Sequence, residues 1–196
     1  MNKNLFIDEK VRNFYETLPF NIYGDLDAAV ERVKKTNLFK IYPVLKNVFE
    51  KHEIKNIIDF GCGSGWLVNS LAYSNNSNVY GLDLSKAALK YASDVSKKLK
   101  LKTTLINSNI FEFETNLKFD LLISLGVLHH TNNCLKALNH ICKFGSDKSF
   151  IFLGLYHKYG RKPFLDFVRK LNGMSEQEKF RKYKQYYNNN NGELDD

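Results

Sequence analysis

The residues of this chain that could do chemistry cluster around one glycine-rich stretch. Gly61, Gly63 and Gly65 follow a short apolar run that a single acid, Asp59, interrupts. Glycine adopts positive φ and carries no Cβ, so such a turn lets a flat ligand lie against the main chain. A second acid, Asp83, lies 22 residues after Gly61, where a carboxylate can accept both hydroxyls of a ribose. These residues predict a site for a ribose-bearing ligand.

The glycine stretch is typical of a strand, a tight turn and a helix start. Ile57, Ile58 and Phe60 predict a buried parallel strand over 56–60, and an apolar, helix-compatible segment resumes at Trp66. Open α/β sheets bind ligands at the carboxyl ends of their strands, which is where this turn would lie.

From Lys55 onward, predicted strands alternate with predicted helices. The strands are expected at 56–60, 79–82, 103–107, 119–124 and 149–155. The helices are expected at 65–74, 86–99, 134–142 and 162–171. This alternation predicts one α/β domain whose parallel sheet carries helices on both faces.

The residues before the first strand predict a helical cap. Helices are expected at 5–17, 26–35 and 38–51. The chain divides into three predicted parts: a cap or lid at 1–52, a core at 53–172 and a polar tail at 173–196.

Aromatic residues are dense between residues 14 and 23. Packing beneath the N-terminal helices and a lid over a ligand pocket are both open interpretations of this stretch. Tyr15 and Tyr23 are the better lid candidates, because a phenol has a polar tip.

Composition places the chain among ordinary globular proteins. Of its 196 residues, 43% are hydrophobic and 26% are charged. The net charge of +8 is compatible with a nucleic-acid surface, but the lysines are spread along the chain, which favours a solvated surface. No apolar run reaches the ~18 residues of a membrane span.

The three cysteines, Cys62, Cys134 and Cys142, form no C-x-x-C pair. An odd number of cysteines without that spacing argues against a disulfide framework and against zinc. It suits a reducing compartment, so the sequence predicts a cytoplasmic protein without a metal site.

Two kinds of protein carry glycine loops of this sort. A dinucleotide fingerprint, G-x-G-x-x-G, has its third glycine where Trp66 stands, which counts against a nicotinamide oxidoreductase. Residues 59–65 instead resemble the first motif of class I S-adenosylmethionine-dependent methyltransferases. Residues 119–131 are a second match, an F-D-hydrophobic strand that leads into a V-L-H-H turn. Residues 154–161 and 19–23 resemble the G-L-Y-x-x-Y-G-R and P-F-P-x-Y segments of a bacterial branch.

The resemblance implies a Rossmann-like, three-layer α/β/α fold with a doubly wound sheet of strand order 3-2-1-4-5, and S-adenosylmethionine as cofactor. Asp83 would accept the ribose hydroxyls, and Asp59 would face the ammonium of the methionine end. Asn109 stands where an acidic residue usually receives the adenine amine, and its carbonyl can accept the same bond. The implied cofactor-binding residues are Asp59, Gly61, Cys62, Gly63, Gly65, Asp83, Leu84, Asn109, Ile110, Ser124 and Leu125.

The polar members of this set also have structural interpretations. Asp59 can hydrogen-bond to the backbone and pin the glycine turn. Asp83 can cap the following helix, although Ser85 competes for that role. Asn109 can serve as a turn residue.

His129 and His130 lie at the predicted mouth of the site. A histidine has an ordinary pKa near ~6.5 and can act as a general base, but each ring can equally pack against a neighbouring helix. Arg161 could bind a carboxylate or a phosphate of the acceptor. The predicted acceptor-binding residues are Tyr15, Tyr23, Tyr156 and Arg161.

The sequence therefore predicts a cytoplasmic methyltransferase that uses S-adenosylmethionine and acts on a small molecule. Two alternatives stay open. One is an RNA methyltransferase, which charge alone indicates. The other is a non-catalytic protein that keeps the fold, which Asn109 indicates.

The predicted strand 149–155 has apolar residues on both faces. Members of the superfamily finish with an antiparallel hairpin beside this strand, whereas the pattern after Lys162 is helical. An uncovered edge invites pairing with another chain. We expect a fragment of a longer reading frame, or a protein that covers this edge by self-association.

Overall fold

The structure, a computed structural model, describes residues 25–157, 159–160 and 162–189. The predicted helix at 5–17 and the candidate residues Tyr15, Tyr23 and Arg161 lie outside this part. The described helices are α1 (Leu26–Lys35), α2 (Leu38–Ile41), α3 (Pro43–Lys51), α4 (Trp66–Ser74), α5 (Lys86–Lys98), α6 (Cys134–Cys142), α7 (Lys162–Lys170) and α8 (Glu176–Asn189). None of these helices is both long and apolar enough to cross a bilayer.

The sheet confirms the predicted topology. Its strands are β1 (Asn56–Phe60), β2 (Asn78–Asp83), β3 (Thr103–Asn107), β4 (Leu121–Leu125) and β5 (Phe150–Gly154), in the order β3-β2-β1-β4-β5. β1 pairs in parallel with β2 and with β4, and β2 pairs in parallel with β3. β1 is therefore the central strand of the sheet.

The core lies on both faces of the sheet, because side chains alternate along each strand. Ile57 belongs to a cluster that includes Leu67 and Leu71 of α4. Its neighbour Ile58 belongs to a second cluster that includes Ala137 and Ile141 of α6. Asp59 is two residues after Ile57 in the same strand, so its side chain points to the same face of the sheet, which α4 covers.

The predicted helix over 38–51 is wrong in one respect, because the structure divides it into α2 and α3 at Tyr42. Pro43 is the cause. Proline disfavours helical geometry in the residue before it, and Tyr42 has φ −121° and ψ 78°. Pro43 then occupies the first position of α3, which needs no backbone N–H donor.

The predicted strand over 119–124 begins two residues too early, since β4 starts at Leu121. Asp120 explains the shift. Its carboxylate accepts hydrogen bonds from the backbone N–H groups of Lys55 and Asn56, each at 2.9 Å. The acid thus ties the amino end of β4 to the start of β1.

The chain separates into two compact units, one up to Leu153 and one from Gly154 onward. In the second unit, aromatic rings join α7 to α8, and Phe167 stacks on Tyr186 with ring centroids 4.3 Å apart. The division at 52 and 172 stays a prediction.

Within the described residues, β5 forms one edge of the sheet and no further strand pairs with it. Residues 176–189, where a closing hairpin could have been built, form α8.

Candidate functional site

The predicted site lies where the path of the chain across the sheet reverses. The chain runs outward from β1 through β2 to β3, and then returns to β4 on the other side of β1. Ligands of open α/β sheets bind at such a switch point, outside the carboxyl ends of the strands. The glycine loop, residues 61–65, follows β1, and the histidine turn, residues 126–131, follows β4.

The three loop glycines share a left-handed backbone but have different surroundings. Gly61, Gly63 and Gly65 have φ of +83°, +52° and +77°. A Cβ on Gly61 would lie 2.4 Å from Val127, and one on Gly65 would lie 2.4 Å from the Cβ of Ala92. A Cβ on Gly63 would meet nothing within 4 Å. Gly61 and Gly65 therefore allow close packing, and Gly63 presents the open backbone on which a ligand can lie.

Asp83 holds the loop to the end of β2. Its Oδ2 accepts a hydrogen bond from the Gly63 N–H at 2.8 Å, and its Oδ1 accepts one from the Ser85 N–H at 2.8 Å. The cap of α5 is Ser85, whose Oγ accepts from the Ala88 N–H at 3.2 Å. The capping interpretation of Asp83 is therefore wrong, and the carboxylate keeps capacity to accept a further hydrogen bond from a ligand hydroxyl.

Asp59 is a carboxyl group with 4% of its surface exposed. Burial, together with the nearby charge of Asp83, raises the pKa of the Asp59 carboxyl to about 7. Burial also raises the pKa of the Asp83 carboxyl, against the opposing effect of its backbone hydrogen bonds. The pKa of the buried Cys62 thiol is raised by burial and then by these two acids. The loop is thus a site of buried negative potential, which suits a cationic group.

The end of β3 supplies amides. The Asn109 carbonyl accepts from the Phe111 N–H at 3.0 Å, which is the turn role considered from sequence, and one lone pair of that oxygen remains. Ile110 is buried in the core, 4% exposed. Asn107 was missed: its Nδ2 donates to the backbone oxygens of Asp83 and Leu84 at 3.0 and 2.8 Å. Its place at a strand end was the only available signal.

The end of β4 lies directly beside β1. Ser124 has no exposed surface, and its Oγ donates to the backbone oxygen of Phe60 at 3.0 Å. Leu125 is half-buried. Gly126 follows with φ +71°, which makes the predicted close turn. The side chain of Ser124 therefore fixes the strand ends, and backbone groups are what this segment can offer to a ligand.

Both histidines lie in a short 3-10 helix, Leu128–His130. His129 is half-buried and His130 is exposed. Their Nε2 atoms are 3.1 Å apart, and their ring centroids are 4.2 Å apart. At that distance one ring donates a hydrogen and the other accepts it, so the pair can share and move a proton.

Of the predicted acceptor residues, Tyr156 lies in the part of the chain that the structure describes. Tyr156 is exposed and belongs to the second compact unit. Tyr15, Tyr23 and Arg161 lie outside the described part, so their roles stay predictions. Among residues 25–157, 159–160 and 162–189, no group of three or more His, Cys, Asp or Glu side chains could hold a metal ion.

A family model described as a methyltransferase domain matches residues 51–189. The chain therefore belongs to the methyltransferase domain family. The match begins just before β1 and includes the glycine loop, Asp83 and the histidine turn. The resemblance identified from the sequence is confirmed at the level of the family.

Ubiquinone biosynthesis O-methyltransferases are among the proteins that share sequence with this chain. The mitochondrial ubiquinone biosynthesis O-methyltransferase of Dictyostelium discoideum is 30% identical over 129 residues, which are 60% of this chain and 39% of that protein. The ubiquinone biosynthesis O-methyltransferase of Rickettsia akari is 24% identical over 141 residues, which are 70% of this chain and 55% of that protein. The chain thus spans between two fifths and just over half of these relatives.

Among solved structures, magnesium protoporphyrin IX methyltransferase from Synechocystis with bound SAH is similar to this chain. The TM-score is 0.62 at 20% identity, over 84% of this chain and 79% of that one. At this identity the likeness confirms the Rossmann-like fold and its strand order.

Proposed function

We propose that this protein transfers a methyl group from S-adenosylmethionine to a small-molecule acceptor. The observation that carries the proposal is the open backbone of Gly63, held by the Asp83 carboxylate at the switch point of the sheet. Family membership gives the reaction class, and SAH is bound in the Synechocystis neighbour.

The residues present fit this cofactor. Asp83 can accept from the ribose hydroxyls with the lone pairs that Gly63 and Ser85 leave available. Asp59, buried beside a second acid, can pair with the ammonium of the methionine end. Asn109 keeps one acceptor position for the adenine amine. The remaining proposed contacts are Gly61, Cys62, Gly65, Leu84, Ile110 and the backbone of Ser124 and Leu125.

Methyl transfer from this cofactor requires few catalytic groups from the protein. When bound, the cofactor supplies a methyl group that its sulfonium has already activated. The protein then has to hold the acceptor atom in line with that methyl group, which by itself supplies most of the rate. His129 or His130 removes the proton of the acceptor, because their paired rings lie on the turn after β4.

The two relatives are named for ubiquinone biosynthesis, and the Synechocystis neighbour is named for magnesium protoporphyrin IX. Both names denote small molecules, which favours an acceptor of that kind over RNA. We assign acceptor contacts to Tyr15, Tyr23, Tyr156 and Arg161.

Cys62, Cys134 and Cys142 are free thiols, so we place the reaction in a reducing cytoplasm.

We also propose self-association at the edge strand β5, where Ile151 is 42% exposed. Sedimentation velocity of the protein and of Ile151→Lys tests this idea. A dimer that the lysine dissociates supports pairing at this edge. A wild-type monomer at all concentrations contradicts it.

The activity is tested with S-adenosylmethionine labelled in its methyl group and a cell extract split into small-molecule, RNA and protein fractions. The label should enter one small molecule, and Asp83→Ala should slow the transfer at low concentrations of S-adenosylmethionine. Label that enters only RNA would establish the alternative acceptor. Absence of transfer, together with absence of cofactor binding, would contradict the proposal.

A further inference from the structure

One aromatic side chain joins the helical cap to the glycine loop. The guanidinium of Arg32 lies over the ring of Trp66, 5.4 Å from its centroid. The Nε1–H of the same ring donates to the hydroxyl of Thr36 at 3.4 Å. Arg32 lies in the last turn of α1 and Thr36 is its C-cap. Two residues at one end of α1 therefore contact Trp66.

Trp66 is placed to transmit this contact. It is the first residue of α4 and directly follows Gly65, the N-cap of that helix. The Gly65 N–H donates to the Cys62 backbone oxygen at 2.9 Å, which closes the loop around Gly63. Arg32 and Trp66 also line one small crevice together with Ser64 of the loop. A shift of the Trp66 ring would therefore move the main chain of the loop.

The cap has other attachments that do not involve the loop. Val30 and Val33 of α1 are buried against Val95 of α5. Asp27 of α1 is ion-paired with Lys98 at the end of α5. These contacts attach α1 to α5, so the contacts of Arg32 and Thr36 with Trp66 form a separate link, from α1 to the glycine loop.

We propose that Arg32 and Thr36 are positioning residues, which act through Trp66 to hold the glycine loop in the conformation that binds the cofactor. A cation over an indole and a hydrogen bond to its N–H together fix both the plane and the rotation of the ring. The cap is thereby coupled to the cofactor site. The consequence for cofactor affinity rests on the proposed function, whereas the consequence for the loop does not.

The test compares four variants of the full chain. Arg32→Met removes the cation and keeps an unbranched stem, and Arg32→Lys restores a cation. Thr36→Val keeps the shape and removes the hydroxyl that contacts Trp66. Lys98→Met, the matched control, breaks the other ionic attachment of α1. For each variant, NMR measures hydrogen exchange of the Gly63 and Gly65 amides without ligand, and calorimetry measures binding of S-adenosylhomocysteine.

We expect Arg32→Met to speed exchange at both amides about tenfold and to weaken binding about tenfold. Thr36→Val should have a smaller effect in the same direction, Arg32→Lys should restore most of both values, and Lys98→Met should change neither. Unchanged exchange in both Arg32→Met and Thr36→Val would overturn the proposal, as would equal changes in Lys98→Met. If Arg32→Met does not fold, Thr36→Val against Lys98→Met decides. A wild-type protein that binds no S-adenosylhomocysteine would contradict the proposed function, and the exchange data would still decide this proposal.

Discussion

The glycine loop after β1 and the histidine turn after β4 leave neighbouring strands at the same edge of the sheet, but they are fixed in different ways. In the loop, backbone groups are held by groups of β2: the N–H groups of Gly61 and Cys62 donate to the Leu82 oxygen at 2.7 and 3.0 Å. In the turn, the side chains of His129 and His130 are half-buried and exposed, respectively, and they contact each other.

The difference indicates a division of labour. A ligand on the loop meets main chain and buried carboxylates, whose positions are set by the core. A ligand at the turn meets side chains whose surroundings are open. Binding of the cofactor should therefore depend on residues that also determine stability, whereas acceptor chemistry should depend on residues that stability does not need.

Asp59→Asn should give the largest effect. The pKa of Asp59 is about 7 in the folded protein, against 3.8 ordinarily, so the folded state keeps a proton that the unfolded state has lost between these values. The stability contributed by this group is therefore greatest below pH 4 and is lost as pH rises to 7. An asparagine does not titrate, so the variant does not lose stability in this way. At pH 8 its free energy of unfolding should exceed that of the wild-type protein by up to about 4 kcal/mol.

Urea denaturation from pH 5 to pH 8 measures this effect. Asp94→Asn is the control, because Asp94 is a half-buried acid of α5 whose partner is Lys90. The same variant, Asp59→Asn, should bind S-adenosylmethionine more weakly, since its amide carries no charge for the ammonium. If the stability of Asp59→Asn varied with pH as the stability of the wild-type protein does, the pKa of Asp59 would not be raised by folding.

Gly65→Ala should destabilise the protein by about 3 kcal/mol, since its methyl group would meet Ala92 in a left-handed backbone. Gly63→Ala is the matched control in the same loop. It has positive φ but open space, so it should lose only about 1 kcal/mol. Chemical denaturation without ligand compares the two. Equal losses would mean that packing does not distinguish these glycines.

Substitution of the histidines tests the other side of the comparison. One of the variants His129→Ala and His130→Ala should lower kcat about 100-fold, and neither should change the affinity for S-adenosylhomocysteine. Stability should stay within about 0.5 kcal/mol of wild type in the exposed His130 variant. Full kcat in both variants would exclude a base at this turn.

Asp83→Ala should weaken binding of S-adenosylmethionine about 30-fold, which is about 2 kcal/mol and is typical of lost charge-assisted hydrogen bonds. The fold should persist, because Ser85 caps α5 independently. Calorimetry and circular dichroism measure the two properties. Retained affinity in a folded variant would remove Asp83 from the cofactor site.

Local patterns were sufficient to predict much of the fold. The alternation of strand and helix predicted the sheet, and the competition between Asp83 and Ser85 predicted which of them caps α5. The break at Tyr42 was predictable from Pro43 by the same local rule. These features depend on residues that are close in sequence.

The features that the sequence could not supply depend on distant residues. Position 61 has no room for a Cβ because Val127 packs against it, and position 65 has none because of Ala92. Asn107 holds the end of β2 by donating to the backbone oxygens of Asp83 and Leu84, and the residues around Asn107 in the sequence do not reveal these partners. Asp120 similarly acts on the start of β1, more than 60 residues earlier. Such partners become visible only when the strands are placed side by side.

The most direct test of the account is a crystal structure of the protein with S-adenosylhomocysteine. The ribose hydroxyls should lie within hydrogen-bonding distance of the Asp83 carboxylate, with the ligand against the main chain of Gly63 and its ammonium facing Asp59. A ligand bound elsewhere, or a ribose beyond the reach of Asp83, would contradict the central claim that the loop after β1 is the cofactor site.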